Sequence, residues 1–333
     1  MIKVGSDFSG VGAFDFALKR LEIKYQNVFA CDIDKYAKIS YEANHSADNF
    51  YENVYNRPIP CESLDIYMTS PPCQAFSIAG NRQGEQDSRG VLFYNSVEFI
   101  RQNKPKVFIF ENVKGLLSAD KGKIFSKWID HLGGGFVNGE DYSFLSNKDA
   151  LPYNIFYKVL NSKDYGVPQN RERIFIVGIR KDINFNYIFP EPIKKEPHIR
   201  DVIDEGSVKD KHYYTQNSKI YPLLSEFVIS ENSVYQYRRV YVRENKSNVC
   251  PTLTANMGTG GHNVPIIKTD KGIRKLTPNE CFNLQGFPRD FNIPLDLAQS
   301  QLYKQAGNSI TVNVLSEIIR NLLPIFFTLQ TKK

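Results

Sequence analysis

Residues 2–14 read IKVGSDFSGVGAF, and this stretch decides the fold of the chain. The apolar run Ile2–Val4 predicts a strand, and Ala13–Leu21 predicts an amphipathic helix. Between them, Gly10 and Gly12 predict a tight loop whose backbone can approach a ligand closely. A glycine loop that leads from a strand into a helix also places the helix N-terminus where it favours an anionic group.

The same alternation of strand-like and helix-like segments continues through the first half of the chain. It predicts an α/β fold built on a mostly parallel, doubly wound, Rossmann-like sheet. Ligands of such sheets bind at the carboxyl ends of the strands. The further strand candidates are Val28–Asp32, Leu64–Thr69, Val107–Glu111, Ile155–Leu160 and Ile174–Ile179, and the further helix candidates are Lys35–Asn44 and Leu92–Arg101.

Asp32 ends the second predicted strand, twenty residues beyond Gly12. A carboxylate at this position can accept hydrogen bonds from both hydroxyls of a ribose. The dinucleotide fingerprint is incomplete, because Asp15 stands where its third glycine would be. The loop alone therefore leaves open a plain tight turn, a dinucleotide site and a site for another nucleoside.

The alternation stops after Arg180. Residues 181–273 hold prolines, scattered charge and β-rich pieces such as Val240–Val242, which predict a separate, smaller, β-rich domain. From Arg274 the pattern turns helical again, and Ser309–Leu323 predicts an amphipathic helix. We therefore predict a catalytic and cofactor-binding domain over 1–180, completed by 300–330, with a recognition domain over 181–273 and a hinge over 274–299.

Composition narrows the class of protein. None of the five cysteines is spaced as C-x-x-C, which argues against a disulfide framework and a zinc site, so we expect no metal. There is no apolar run long enough to span a membrane and no secretory leader, so we expect a cytoplasmic protein. The net charge of +6 permits a polyanionic partner.

Residues 69–77 read TSPPCQAFS and follow an apolar strand. A lone cysteine is usually a small buried hydrophobe. Cys73, however, lies in a polar loop whose backbone two prolines constrain, and this position favours a nucleophile. A zinc deaminase would need a second cysteine three residues later, where this chain has Phe76.

This loop resembles the catalytic loop of bacterial-type cytosine-C5 DNA methyltransferases. The other blocks of that family follow in its order along nearly the whole chain, so the chain is identified as a member by resemblance. The blocks are DSRGVLF at 87–93, ENV at 111–113, QNRER at 169–173, RKLTPNEC at 274–281 with QGFP at 285–288, and GNS at 307–309.

The resemblance implies a covalent mechanism. Cys73 would attack carbon 6 of cytosine and thereby make carbon 5 nucleophilic. Glu111 would hydrogen-bond the ring nitrogen N3 and the exocyclic amine of the base. Arg173 would hold the cytosine O2, and Arg171 would orient the loop or a phosphate. Outside this family, Glu111 would be an ordinary capping carboxylate and the two arginines would be surface charge.

The resemblance also implies that S-adenosylmethionine is the methyl donor and S-adenosylhomocysteine the product. Asp32 would bind the ribose, Ile33 would pack on the adenine, and Asn53 would accept a bond from the adenine amine, where the family usually has aspartate. The remaining expected cofactor-binding residues are Phe8, Gly10, Gly12, Pro72, Leu92, Asn308 and Ser309.

The partner implied is double-stranded DNA, from which the target cytosine must be flipped out of the stack. Residues 78–87 would form a lid, and residues 235–243 interleave aromatic and basic side chains, which suits contacts with phosphates and base edges. The alternative interpretation of residues 235–243 is a solvent-exposed strand with tyrosines along one face. The expected DNA-binding residues are Gln236, Arg238, Arg239, Thr252 and Leu253, with Gln236 helping to fill the vacated stack because position 79 is Ala79.

Three alternatives remain at this stage. One is a tRNA cytosine methyltransferase of similar fold, against which the substantial segment 181–273 argues. Another is a catalytically silent DNA-binding relative, against which Cys73 and Glu111 argue. A nucleotide-dependent dehydrogenase explains only the glycine loop. We expect a nucleoid-associated monomer that acts on a short, C/G-rich site as part of a restriction-modification system with a companion restriction endonuclease.

Overall fold

The computed structural model describes residues 1–72, 90–141, 149–194, 196–204, 206, 208–245, 248–258 and 264–327. Cys73 and the expected lid over 78–87 lie outside the described residues. The strands are β1 Ile2–Asp7, β2 Tyr25–Cys31, β3 Phe50–Tyr51, β4 Ile66–Thr69, β5 Val107–Val113, β6 Phe136–Val137, β7 Glu140–Asp141, β8 Tyr153–Asn161, β9 Gln169–Asn170, β10 Glu172–Arg180, β11 Val234–Tyr237, β12 Val242–Asn245, β13 Cys250–Pro251, β14 Ile266–Thr269 and β15 Gly272–Lys275. The helices are α1 Ala13–Arg20, α2 Lys35–Glu42, α3 Gly90–Asn103, α4 Lys123–Leu132, α5 Tyr221–Phe227, α6 Pro278–Asn283, α7 Gln299–Asn308, α8 Val312–Arg320 and α9 Leu323–Phe326.

The largest sheet of the described residues has nine strands in the order β3-β2-β1-β4-β5-β10-β8-β6-β7. Strands β3, β2, β1, β4 and β5 are parallel, which confirms the expected α/β fold. Strand β10 is antiparallel to both β5 and β8. It reverses direction because only residues 162–171 connect it to β8, and a parallel return needs a longer crossover.

The central strands are buried on both faces of the sheet. In β5, Val107 and Ile109 belong to one apolar cluster, whereas Phe108 and Phe110 belong to another. Successive side chains of a strand point to opposite faces, so the two clusters are the two sides of the sheet. Residues of α1, α6, α7 and α8 contribute to the first cluster, and residues of α3 and α4 contribute to the second.

The C-terminal amphipathic helix is shorter than expected. Residues Ser309 and Thr311 are extended, and α8 begins at Val312. The Ser309 hydroxyl donates a 2.8 Å hydrogen bond to the carbonyl of Gln305. Ser309 therefore terminates α7 instead of starting the next helix. None of the helices in the described part of the chain is long and apolar enough to cross a membrane.

Strands β12, β11, β14 and β15 form a second sheet in that order. Strands β11 and β12 pair as an antiparallel hairpin, with Tyr237 opposite Val242. The expected strand at Val240–Val242 is therefore wrong for its first two residues, which belong to the turn of this hairpin. In that turn, the N–H of Arg238 donates to the carbonyl of Tyr241 at 2.8 Å, and Arg239 has φ +63°. The domain boundaries remain a prediction.

A buried ion pair fixes the segment that leads from the second sheet back to the first. Arg274 and Glu280 are fully buried and form two hydrogen bonds of 2.6 and 2.8 Å. Glu280 also accepts hydrogen bonds from the backbone N–H groups of Asp204 and Thr277. Each carboxylate oxygen thus has two donors, which offsets the cost of burying the charge.

Replacing Glu280 with glutamine is expected to lower the free energy of unfolding by about 3–5 kcal/mol, because a buried guanidinium is left without its counter-charge. Urea denaturation monitored by circular dichroism measures this change. The matched control is Glu317→Gln in the exposed pair with Arg320, which should cost less than about 1 kcal/mol. Equal, small effects of both substitutions would contradict the structural role of the buried pair.

Candidate active site

A cavity of about 750 Å³ opens at the carboxyl ends of β1, β2, β4 and β5. This is the edge at which parallel sheets of this kind bind ligands. Most of the expected site residues line it, although they come from segments far apart in the chain. They are Phe8, Gly10, Asp32, Pro72, Glu111, Arg171, Arg173, Thr252, Leu253, Asn308 and Ser309.

The glycine loop is closed by hydrogen bonds to the end of β2. The Ser9 hydroxyl donates to the Cys31 carbonyl at 3.1 Å, and the Gly10 N–H donates to one carboxylate oxygen of Asp32 at 2.8 Å. The N–H of Asp34 donates to the other oxygen of Asp32 at 2.8 Å. Burial raises the pKa of Asp32, and these two backbone donors oppose the rise. The carboxylate is thereby oriented, and its remaining lone pairs are available to a ligand.

Backbone conformation at the loop explains its sequence. Phe8 and Gly10 have φ values of +57° and +56°, in the left-handed region that favours glycine. A β-carbon at Gly10 would meet no protein atom within 4 Å. The backbone of Gly10 therefore borders open space, as a loop that receives a ligand requires.

Two expected cofactor-binding residues, Gly12 and Leu92, do not line the cavity. A β-carbon on Gly12 would come within 2.5 Å of the ring of His45, so this glycine is needed for packing behind the loop. Leu92 is partly buried and packs against the apolar cluster on the α3 side of the sheet. Spacing alone could not distinguish a residue that faces the cavity from one that faces the core.

Ile33 and Asn53 also lie outside the cavity lining. Ile33 follows the end of β2 and Asn53 follows the end of β3, and these two strands are paired. Ile33 is 82% exposed. The side-chain oxygen of Asn53 accepts a 2.9 Å hydrogen bond from the N–H of Tyr55, which forms a local turn. Their expected contacts with adenine stay a prediction.

Glu111 lies at the end of β5 and is only 8% exposed. Arg173 on β10 forms an ion pair with it, with 3.1 Å between the arginine Nε and a carboxylate oxygen. Burial raises the pKa of Glu111, while Arg173 and Arg171 oppose the rise. A buried carboxyl group with a raised pKa can exchange a proton with a bound ring nitrogen.

The next residue, Asn112, connects this strand to the Pro-Pro loop. Its side-chain amide donates to the carbonyl of Pro71 at 3.0 Å, and its oxygen accepts the N–H of Val113 at 2.8 Å. Pro71 and Pro72 both line the cavity. The Pro-Pro pair is thereby attached to the strand that carries Glu111.

Arg171 is buried and supports the walls of the cavity. It donates to the carbonyls of Leu253 at 2.9 Å, Gly307 at 3.1 Å and Ser309 at 2.9 Å. Three donors of one guanidinium therefore hold two distant segments beside β10. The expected role of Arg171 in orienting a loop or a phosphate stays a prediction.

Gln169 has a comparable role that the sequence did not suggest, although the residue lies within the QNRER block. Its amide oxygen accepts the N–H of Leu253 at 3.0 Å, and its amide nitrogen donates to the carbonyl of Leu284 at 2.6 Å. The Thr252 hydroxyl donates to the Asn170 carbonyl at 2.7 Å, beside the paired strands β9 and β13. Leu253 is 2% exposed, so its side chain belongs to the core.

The sequence also gave no indication of a buried ion pair that lies beneath the glycine loop. Asp7, the last residue of β1, is held by Arg57 through hydrogen bonds of 2.7 and 2.9 Å and by the hydroxyl of Tyr67. Nothing in the local pattern could indicate this pair, because fifty residues separate its members and Arg57 belongs to no strand or helix.

The remaining expected DNA-binding residues lie on the β11–β12 hairpin. Arg238 and Arg239 are exposed at its turn, beside Val240 and Tyr241, which are 81% and 54% exposed. The Arg238 guanidinium donates to the side-chain oxygen of Gln236 at 2.9 Å. Gln236, Arg238 and Arg239 do not line the cavity.

Four cysteines lie in the described part of the chain. Cys31, Cys250 and Cys281 are buried, and burial raises the pKa of each thiol. Cys61 is exposed, and none of the four lines the cavity. Among the described residues, no group of three or more histidine, cysteine, aspartate or glutamate side chains is arranged to hold a metal ion.

Comparison with known proteins gives a consistent result. The chain is 43% identical over 330 residues to the Type II methyltransferase M.Bsp6I of Bacillus sp. (strain RFL6), covering 97% of this chain and 98% of the relative. It is 33% identical to the Type II methyltransferase M.HpaII of Haemophilus parainfluenzae, covering 92% and 84%. The crystal structure of S. pombe Dnmt2 methyltransferase shares the fold, with a TM-score of 0.70, 20% identity and coverage of 97% and 98%.

The family model for C-5 cytosine-specific DNA methylase matches residues 2–323. The match spans both sheets and every segment that lines the cavity. The expected fold and enzyme class are confirmed, and the chain belongs to the C-5 cytosine-specific DNA methylase family.

Proposed function

We propose that this chain transfers a methyl group from S-adenosylmethionine to carbon 5 of a cytosine flipped out of duplex DNA, with Cys73 as the nucleophile. One observation carries the proposal. Pro72, which precedes Cys73, lines the same cavity as the Glu111–Arg173 pair and as the Gly10–Asp32 end of the glycine loop. A nucleophile, an acid for the base and a nucleoside-binding loop would thus meet in one enclosure.

The nucleophile assignment is supported by the other cysteines. Three of those described are buried with raised pKa values, and the exposed Cys61 does not line the cavity. A thiolate is the reactive form, and burial in apolar surroundings suppresses it. Cys73 is the remaining cysteine, and it directly follows two residues that line the cavity.

The residues at the glycine loop fit a nucleoside cofactor. Asp32 is oriented by two backbone donors, and the space beside Gly10 is open. We propose that Asp32 binds the ribose, that Phe8, Gly10, Pro72, Asn308 and Ser309 complete the binding site, and that Ile33 and Asn53 border the adenine. When bound, S-adenosylmethionine supplies an electrophilic methyl group, and the family implies its use.

The chemistry on the base then follows from the residues of the cavity. The Cys73 thiolate would form a bond to carbon 6, which turns the C5–C6 double bond into a single bond and makes C4=C5 an electron-rich enamine. Glu111 would bind the N3 side of the ring and donate a proton there, and Arg173 would hold O2. After methylation, a base removes the proton at carbon 5, the C5–C6 double bond re-forms as the thiolate leaves carbon 6, and the N3 proton returns to Glu111. Arg171 would act indirectly, by holding the walls of the cavity in place.

For target choice, we propose that residues 181–273 recognise DNA through the β11–β12 hairpin. Arg238 and Arg239 extend from its turn into solvent, and Gln236 is bonded to Arg238. A two-stranded β-ribbon fits the major groove, and arginine suits guanine edges and phosphates. The names of the Type II relatives support a role in restriction and modification, with a companion endonuclease and a short target site.

Cys73→Ser is expected to abolish methyl transfer while leaving DNA and cofactor binding intact, because serine lacks a comparable nucleophile. Transfer of tritium from labelled S-adenosylmethionine to DNA measures turnover, and calorimetry with S-adenosylhomocysteine measures binding. The matched control is Cys61→Ser, which should keep wild-type turnover. Substantial transfer by Cys73→Ser would exclude the nucleophile assignment.

DNA that carries 5-fluorocytosine at the target should trap the enzyme. Fluorine at carbon 5 cannot leave as a proton, so the bond between Cys73 and carbon 6 cannot be broken by elimination. A DNA-bound band on a denaturing gel measures this adduct, and Cys73→Ser should not form it. An active wild-type enzyme that gave no such band would contradict the covalent mechanism.

Arg238→Ala or Arg239→Ala is expected to weaken or relax recognition of the target site without changing cofactor affinity. A contact with a base should contribute about 1–3 kcal/mol of discrimination, and a phosphate contact should affect all sequences alike. Filter binding to target and non-target duplexes distinguishes these cases. Arg320→Ala, an exposed arginine on α8, is the control. If both hairpin variants keep wild-type affinity and specificity, the hairpin is not the recognition element.

A further inference from the structure

We propose that Arg57 is a positioning residue for the cofactor, because it connects the glycine loop to the segment that carries the expected adenine partner. The glycine loop follows β1 and lines the cavity. The segment is the irregular stretch over 52–65 that connects β3 to β4, and its residues do not line the cavity. The inference rests on the proposed cofactor site and assigns Arg57 no contact with the cofactor itself.

The contact with the glycine loop is a buried ion pair with two hydrogen bonds. The Nε and Nη2 groups of Arg57 donate to separate oxygens of Asp7 at 2.7 and 2.9 Å, and the side chains are 2% and 0% exposed. Asp7 lines the cavity and directly precedes Phe8, which has φ +57°. Because the carboxylate is fixed in two directions, the backbone that enters this left-handed turn is fixed as well.

The guanidinium also packs against two aromatic rings. Its central carbon lies 4.2 Å from the ring centre of Phe99 on α3 and 5.1 Å from that of Phe29 on β2. A planar, delocalised cation can stack on aromatic rings while it donates two parallel hydrogen bonds, and an ammonium group cannot do both. The geometry therefore requires arginine, and lysine would supply the charge without the orientation.

The position of Arg57 in the chain connects this pair to the segment over 52–65. It follows Asn53, the expected adenine partner, by four residues in a segment without a strand or helix. Within this segment Asn53, Tyr55 and Asn56 form local turns, and the buried side chain of Arg57 attaches it to Asp7 at the end of β1. Other hydrogen bonds attach the segment to α3 and to the start of β1. Without Arg57, the glycine loop and the segment would lose their shared anchor.

A second buried arginine–carboxylate pair provides a matched control. Arg274 and Glu280 are as buried as Arg57 and Asp7, yet neither lines the cavity. Loss of either pair is expected to lower stability. Only loss of the Arg57–Asp7 pair should also disturb cofactor binding. The comparison therefore separates a positioning role from a purely structural one.

The test measures the dissociation constant of S-adenosylhomocysteine by calorimetry for Arg57→Met, Arg57→Lys, Asp7→Asn and Glu280→Gln. The full-length proteins are compared at a temperature at which circular dichroism shows each to be folded. We expect the dissociation constant to rise by about tenfold or more for Arg57→Met and Asp7→Asn and by less for Arg57→Lys. It should be unchanged for Glu280→Gln. DNA affinity in the absence of cofactor should be the same for all of them.

Asp7→Asn keeps the size of the side chain and serves as the deciding variant if Arg57→Met does not fold. Unchanged S-adenosylhomocysteine binding by Asp7→Asn and by each Arg57 variant that folds would overturn the inference. An equal loss of binding by Glu280→Gln would also overturn it, because the effect would then follow from stability alone. If the wild-type protein fails to bind S-adenosylhomocysteine, the proposed function fails instead.

Discussion

Three carbonyl groups from two distant segments converge on the buried guanidinium of Arg171. One belongs to Leu253, beyond the second-sheet hairpin, and two belong to Gly307 and Ser309, at the end of α7. A buried carbonyl without a donor costs free energy, so Arg171 stabilises both segments in place. Gln169 and Asn170 support the segment at Leu253 as well.

Two arginines also determine the electrostatics of the site. Arg171 and Arg173 both act on Glu111, which burial would otherwise drive towards its neutral form. Arg173 touches the carboxylate directly, whereas Arg171 acts through the field while its hydrogen bonds go to the backbone. The Arg173 guanidinium is thus paired with a carboxylate, whereas the Arg171 guanidinium is held by the backbone of the cavity walls. Arg173 belongs to β10, and Arg171 lies between β9 and β10.

Sequence patterns predicted those parts of the fold that local forces determine. The strands of the central sheet, the glycine loop and the position of Asp32 follow from apolar periodicity and from backbone conformation at Gly10. Burial of both faces also explains why β4 begins with three apolar residues and β5 with four, without polar residues in alternation. The reversal of β10 was not foreseen, since periodicity carries no information about strand direction.

The sequence placed Pro72 and Glu111 at the candidate site because their neighbours are informative, and both line the cavity, whereas the role of Cys73 stays a prediction. Resemblance implies that Gly12 and Leu92 belong to the cofactor site; in the structure Gly12 lies close to His45 and Leu92 packs against an apolar cluster, and their roles towards the cofactor stay a prediction. The roles of Arg57 and Gln169 could not be identified from the sequence. Their partners are fixed by tertiary contacts between segments at least fifty residues apart, and no local pattern records such a contact.

The two buried ion pairs show what such contacts contribute. Burying an arginine with a carboxylate gains little net stability, because desolvation offsets much of the attraction. What each pair does provide is a fixed direction, since the two donors of the guanidinium match the two oxygens of the carboxylate. Arg274 uses this to hold the path between the sheets, and Arg57 uses it beneath the glycine loop. In both places an apolar contact of equal size would pack the chain without defining its orientation.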